Sequence, residues 1–352
     1  MTACSAGRVI AAALATLGTP GFAAAQVAGV AVSESGDPVP YVLVTIGPQA
    51  HAQFTDAHGR FTLAGLGAGS YQLRLRQVGY FPVDTGITLA AGAAPISITM
   101  RALPVDLAPI VVAGRGGCIE PGPPDSLADP RAHELLEQLR ISAERFVFLS
   151  DSFPFEFQVS RTFTDSSAAG RQLQTMSDTI EYRSDVRPPY RPGQVISSGK
   201  GAGGGYRLYR LPTLAEFADP SFIFNHCWTA GAQPADSIYA ALSFAPPASL
   251  RTSDVEGTFY LDVRNMQLDR AELRLTRVQQ VLPEGSTVHA SVRFQSMFPG
   301  LVVPSGIIGR ARSARRSGRY QASVTSEHQR LLRLRLVNPG VIPGPPPLNP
   351  IR

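Results

Sequence analysis

Lysine is almost missing: Lys200 is the single one among 352 residues, so the net charge of +5 is carried by arginine. A skew of this kind follows from a GC-rich genome as readily as from a polyanionic partner, and the sequence is read as having no nucleic-acid partner. Charged residues make up only 17% while Gly and Pro together number 63, a mixture that disfavours a helical bundle or coiled coil. Three cysteines exclude a disulfide-dense scaffold. Catalytic signatures are also missing. There is no Gly-x-Ser-x-Gly elbow, no His-Glu-x-x-His zinc motif and no His-x-x-Glu pair. Gly193 to Lys200 imitates a phosphate loop, but five residues separate its glycines and Gly201 stands where Ser or Thr is needed. No catalytic residue, cofactor or metal is expected, and the chain is read as a non-enzyme.

What is present is apolar material, at 44%, with 33 glycines and 30 prolines. That mixture suits many short strands joined by turns. Residues 1–25 read as a cleaved export signal. Arg8 supplies the positive start, Val9 to Leu17 the apolar core, and Ala23-Ala24-Ala25 a small-residue cleavage site. The apolar run is too short to span a bilayer, and no later segment has 18 uninterrupted apolar residues. The expected location is the periplasm or the outer-membrane surface. Removal of the signal leaves Cys118 and Cys227, which in an oxidising compartment are expected to form one structural disulfide. Neither belongs to a Cys-x-x-Cys, and His226 beside Cys227 alone makes a poor metal site.

From Val27 to Gly114 apolar and polar residues alternate between turn signals. Ala28–Val32, Val42–Ile46, Gln53–Thr55, Phe61–Leu63, Tyr71–Leu75, Ile87–Leu89, Ile96–Met100 and Ile110–Ala113 read as strands of a small antiparallel sandwich. Thr55-Asp56-Ala57-His58-Gly59-Arg60-Phe61 reads as a hairpin, with Asp56 bonding the turn backbone and Gly59 taking positive φ. Together with Leu66-x-x-Gly69-Ser70-Tyr71 and Gly79-Tyr80, this ordered set resembles the carboxypeptidase regulatory-like domain, over residues 26–113. The resemblance implies a seven-stranded, transthyretin-like Greek-key sandwich without catalysis of its own. Its related superfamily includes carbohydrate-binding members, which makes Tyr71, Tyr80 and Phe81 candidates for a glycan platform against a role in core and hinge. Val105 to Gly114 resembles the segment that joins such domains to the plug of TonB-dependent receptors.

A Gly/Pro-rich linker, 114–128, leads to the second domain, 129–337. Asp129-Pro130 opens a helix expected over 130–140, with Ala132, Leu135, Leu136 and Leu139 on one face. His133 and Glu137 on another face imitate a metal pair and are read as solvated. The remainder is expected to be strands, from Phe146–Leu149 onward, forming a larger antiparallel curved sheet or half-barrel around that one helix. Leu211 to Trp228, Leu242 to Pro246 and Val255 to Asp262 resemble uncharacterised regulatory-like proteins of Gemmatimonadota-type bacteria, and DUF5686-type envelope proteins. That group implies no settled activity.

The candidate contacts follow from these placements. His226 with Asp219 or Glu216 is the one acid–base constellation to inspect, and Trp228 lies beside it. Arg310, Arg312, Arg315 and Arg316 surround a turn and are candidates for anionic headgroups, giving peripheral membrane contact. Eight arginines between Gly309 and Val337 face only Glu327; Arg333 and Arg335 alternate with leucines, as on the wet face of a solvated edge strand. The Pro-rich tail, 338–352, reads as extended. The leading functional reading is an exported binding or assembly protein whose partner is an envelope protein or surface ligand, such as a lipid or glycan. The alternatives are a carrier of an apolar ligand and a carbohydrate-binding module, with an enzyme last.

Overall fold

The computed structural model describes residues 25–47, 51–90, 93–104, 118–201, 204–231, 237–298, 301–313 and 323–337. All of the expected signal but Ala25, the segment 105–114, the tail 338–352, Arg315 and Arg316 therefore lie outside the described residues.

The first domain contains β1 (Ala25–Ser33), β2 (Leu43–Ile46), β3 (His51–Phe54), β4 (Arg60–Leu66), β5 (Gly69–Arg76), β6 (Val83–Leu89) and β7 (Ile96–Met100). They form two sheets, β4-β1-β7 and β3-β2-β5-β6, the seven-stranded sandwich expected. One pairing departs from the antiparallel expectation: β7 runs parallel to β1, with Ala31 opposite Ile98. Alternation places Phe61, Leu63, Leu73 and Leu75 inside, where they meet Val44, Ile46 and Met100. The hairpin before β4 is fixed as its sequence dictates. Asp56 Oδ1 accepts the N–H groups of His58 and Arg60, both at 2.8 Å. Gly59 has φ +70° and its Cβ position lies 2.4 Å from the Ala31 carbonyl oxygen, so only glycine fits.

The second domain opens with α1 (Pro130–Ser152), capped by Asp129, whose side chain accepts the Ala132 N–H. The helix is more than twice the length expected, and Phe146–Leu149, read as a strand, is its last part. The apolar stripe of Ala132, Leu135, Leu136 and Leu139 continues through Ala143, Phe146 and Leu149 at helical spacing, all buried. The strands that follow are β8 (Phe155–Ser167), β9 (Gln172–Arg183), β10 (Ile196–Gly201) and β11 (Gly204–Tyr209). After the one-turn helix α2 (Pro220–Phe224) come β12 (Cys227–Ala230), β13 (Tyr239–Ala245), β14 (Val255–Asp262), β15 (Leu268–Leu275), β16 (Thr287–Phe298), β17 (Leu301–Ser313) and β18 (Ser323–Leu336). β10 pairs with β11 in antiparallel register up to Gly201 opposite Gly204, the hairpin read from sequence.

β12 through β18 form a meander, and β18 then pairs with β8, giving a nine-stranded antiparallel sheet in the order β12-β13-β14-β15-β16-β17-β18-β8-β9. α1 packs on one face of it, against β12, β13 and β17. Its leucines and Phe146 share one buried cluster with Leu242, Phe259, Leu273 and Val292 from the sheet. β17 and β18 are thus interior strands, which overturns the solvated-edge reading of the arginines between Gly309 and Val337.

Candidate functional site

Between the two domains α1 presents a second buried stripe, and this one is polar: Gln138, Ser142 and Arg145, at 1%, 3% and 0% exposure. Gln138 Oε1 accepts the Gly79 N–H at 2.8 Å, and its Nε2 donates to the Tyr80 carbonyl at 3.2 Å. Arg145 donates to the Arg76 carbonyl at 3.1 Å and lies over the Phe54 ring, 5.0 Å from its centroid. Burial holds the Arg145 guanidinium down to about 9, still cationic at neutral pH. Phe54 also meets Phe148 edge-on at 5.2 Å. Tyr80 and Phe81 belong to this seam. Phe81 is half-buried under Arg101, 4.0 Å from its centroid, and Tyr80 packs on the sandwich core. They do not make an exposed glycan platform. Tyr71 is held likewise, its hydroxyl donating to the Gly67 carbonyl.

The one polar knot inside the second domain surrounds α2. Asp254, fully buried, accepts the Tyr190 hydroxyl at 2.8 Å and the Val255 N–H at 2.8 Å. Burial, followed by the Asp254 carboxylate, pushes the Tyr190 phenol far above its ordinary range. His226, also fully buried, stacks on Phe222 at 4.3 Å between centroids and meets Tyr190, Phe244 and Trp228. Its Nδ1 faces the Phe222 carbonyl at 2.8 Å, while Nε2 has no hydrogen-bond partner. Burial lowers its pKa and the Phe222 carbonyl offsets that in part, so the ring is neutral at pH 7. Trp228 is 4% exposed and donates its indole N–H to the Ile223 carbonyl. Both side chains are thus buried in the second domain, and neither presents surface of its own.

Glu216 does not join His226. Its carboxylate accepts the Thr213 N–H at 2.6 Å and pairs with Arg210. Burial raises its pKa against the pull of Thr213 and Arg210. Asp219 caps α2 by accepting the Ser221 N–H at 2.8 Å. Arg210 also donates to the carbonyls of Pro188 and Pro189. A recess of ≈ 220 Å³ opens between Tyr190, Gln194, Arg210, Pro212, Glu216 and Val255. Its polar groups hold the 184–195 loop to the 3-10 turn at Leu214–Ala218, and most of its space is open to solvent, with enclosed room for about one water molecule. His133 and Glu137 are separated in the same way, His133 facing the Pro124 carbonyl and Glu137 pairing with Arg140. Among the described residues no three His, Cys, Asp or Glu side chains converge as a metal site.

Cys118 and Cys227 form the expected disulfide, with Cα atoms 5.5 Å apart. It pins the linker along edge strand β12: the Gly122 N–H donates to the His226 carbonyl and the Ala248 N–H to that of Cys118.

Arg310 and Arg312 project from the face of the nine-stranded sheet opposite α1, both exposed. Cross-strand register sets His289 and Ser326 beside Arg310, and a second row places Arg293 opposite Gly306 and Gly306 opposite Arg330. Arg293 and Arg330 were missed because their neighbours are set by strand pairing, which a single strand's alternation does not encode. Gln138 and Arg145 were missed for another reason: polar side chains on a helix read as its wet face.

The described architecture is thus a small β-sandwich docked onto a helix-backed, nine-stranded antiparallel sheet. Residues 26–101 match the model of the carboxypeptidase regulatory-like domain, as the turn motifs implied. That match ends before the second domain, and the expected likeness there to DUF5686-type or Gemmatimonadota proteins is not supported by it. No curated protein matches the chain. Among solved structures, the crystal structure of BcpA, the major pilin subunit of Bacillus cereus, is similar over 86% of this chain and 95% of that one. The identity is 8% and the TM-score 0.21, too low to establish a shared fold. Among the described residues no helix is long and apolar enough to cross a membrane.

Proposed function

We propose that the chain is a non-enzymatic, exported binding or assembly protein of the bacterial cell envelope. Its regulatory-like domain serves as a rigid adaptor and the nine-stranded sheet as the body that meets a ligand or partner. The observation that carries this reading is how the buried ionisable groups are engaged. Asp254 takes up Tyr190 and a backbone N–H, Glu216 takes up Arg210 and a backbone N–H, and Arg145 joins the domains. Each holds one part of the fold to another rather than converging on a reacting atom.

The carrier alternative needs an apolar hollow under the helix. Leu135, Leu136, Leu139 and Phe146 instead share a packed cluster with the sheet, which favours an adaptor. The disulfide supports export to an oxidising compartment. The test is fractionation of the native host, followed by N-terminal sequencing and thiol counting. A processed chain in periplasm or outer membrane, with Cys118 and Cys227 bridged, agrees with the proposal. A cytosolic chain retaining residues 1–25 and two free thiols overturns it.

A further inference from the structure

We propose that the outer face of β16, β17 and β18 binds an extended acidic polysaccharide through Arg293, Arg310, Arg312 and Arg330. The inference rests on the binding-protein reading above and gives it a surface and a ligand class.

The first argument is the contrast in charge pairing. Elsewhere in the sheet Arg161, Arg183, Arg274 and Arg335 each face a carboxylate. Arg293, Arg310, Arg312 and Arg330 have no ion-pair partner among the described residues, and all four are exposed. Glu272, an outer-face carboxylate of neighbouring β15, accepts the Ser291 hydroxyl instead. Arg270 of β15 stands across from Arg293 but pairs with Asp269 and lies over the Tyr260 ring, so the cross-strand neighbour offers Arg293 no carboxylate. Protection of a sheet edge does not explain the cluster, because these strands are the fifth to seventh of nine.

The second argument is shape. Arg293 and Arg330 flank Gly306, whose missing side chain leaves bare backbone between two arginine positions about 10 Å apart at the main chain. Arg310 and Arg312 lie about 7 Å apart along the next strand positions. A chain with repeating carboxylates meets such a lattice at several points, so individually weak contacts add through multivalency. Around it the face is rich in hydroxyls. Thr162 bonds Ser177 and Thr164 faces Thr175 across β8 and β9, beside Ser291 and Ser326. These suit a polyhydroxylated ligand. Ile308, exposed on this face, has the polar Ser291 and His328 as its cross-strand neighbours.

Binding of the purified, disulfide-intact chain to polygalacturonate, neutral dextran, anionic phospholipid vesicles and single-stranded DNA tests the proposal. Polygalacturonate is expected to bind best. Reversal of three charges, Arg293→Glu, Arg310→Glu and Arg330→Glu, is expected to weaken it roughly tenfold or more. The slope of log affinity on log salt falls by about one per lost arginine. A variant of equal net charge, Arg60→Glu with Arg171→Glu and Arg251→Glu, keeps wild-type affinity. Should the first triple variant not fold, Arg310→Gln with Arg330→Gln replaces it and is expected to show the same direction. Equal binding to dextran, equal loss in the matched variant, or tighter binding to vesicles or DNA overturns the proposal. None of these outcomes depends on where the cell places the chain, which fractionation decides separately.

Discussion

Gln138 and Gly79, 59 positions apart, are joined by a hydrogen bond in which the Gln138 side chain accepts the Gly79 N–H. With its amide nitrogen on the Tyr80 carbonyl, the same side chain stitches the end of the sandwich's second sheet to the middle of α1. Gly79 has φ +84°, and its Cβ position lies 2.9 Å from the Asn265 carbonyl oxygen, so the loop approaches the β14–β15 turn as closely as backbone allows. The docking is a fitted contact rather than a flexible joint.

Gln138→Leu therefore leaves a backbone N–H and a carbonyl buried without partners. The expected loss is about 2 kcal/mol or more in chemical denaturation. Hydrogen exchange at residues 77–81 should rise at the same time. Unchanged stability with unchanged exchange would show that water substitutes for the side chain.

Asp254 likewise holds two buried groups, the Tyr190 hydroxyl and the Val255 N–H. Asp254→Ala strands the Tyr190 hydroxyl and the Val255 N–H in the interior, with an expected cost of about 3 kcal/mol. Tyr190→Phe removes only one partner and leaves the carboxylate its Val255 bond, so its expected cost is about half as large. The ordering of the two variants by urea midpoint is the measurement, and a reversed ordering refutes the account.

What sequence disclosed and what it hid follow from the range of the interactions. The Asp56–Gly59 hairpin is legible because its bonds span four residues. The disulfide is legible because, with the signal set aside, only Cys118 and Cys227 remain. Phe146–Leu149 misled because a four-residue apolar run reads equally as strand or helix, although Leu139, Ala143 and Phe146 keep helical spacing. Arg145 and Gln138 were hidden because their burial comes from a domain more than 50 residues away. The same holds for the outer arginines, whose lattice exists only once β15 to β18 are in register.

The disulfide closes a loop of 109 residues in sequence separation, between the linker and edge strand β12. By chain entropy it contributes about 5 kcal/mol. Cys227→Ser should lower stability by an amount of that order and release residues 119–128 to proteolysis. A variant as stable and as resistant as the parent would mean that the Gly122 and Ala248 hydrogen bonds alone hold the linker.

Burial of His226 makes stability depend on pH in a defined direction. The unfolded chain protonates this imidazole near 6.5, whereas the folded chain does so only at lower pH. Below about pH 6.5 the unfolded state thus binds more protons. The contribution of a neutral His226 is complete above that value and declines as pH falls, by at most about 1.4 kcal/mol per pH unit. Glu216 and Glu144, both raised chiefly by burial, act in the opposite sense, since the folded state keeps their protons above the ordinary 4.5. The comparison with His226→Gln removes that opposing contribution from the result. Between pH 6.5 and 5 the wild-type denaturation free energy should fall more steeply than the variant's, and parallel slopes would place the imidazole in contact with water or charged in the folded state.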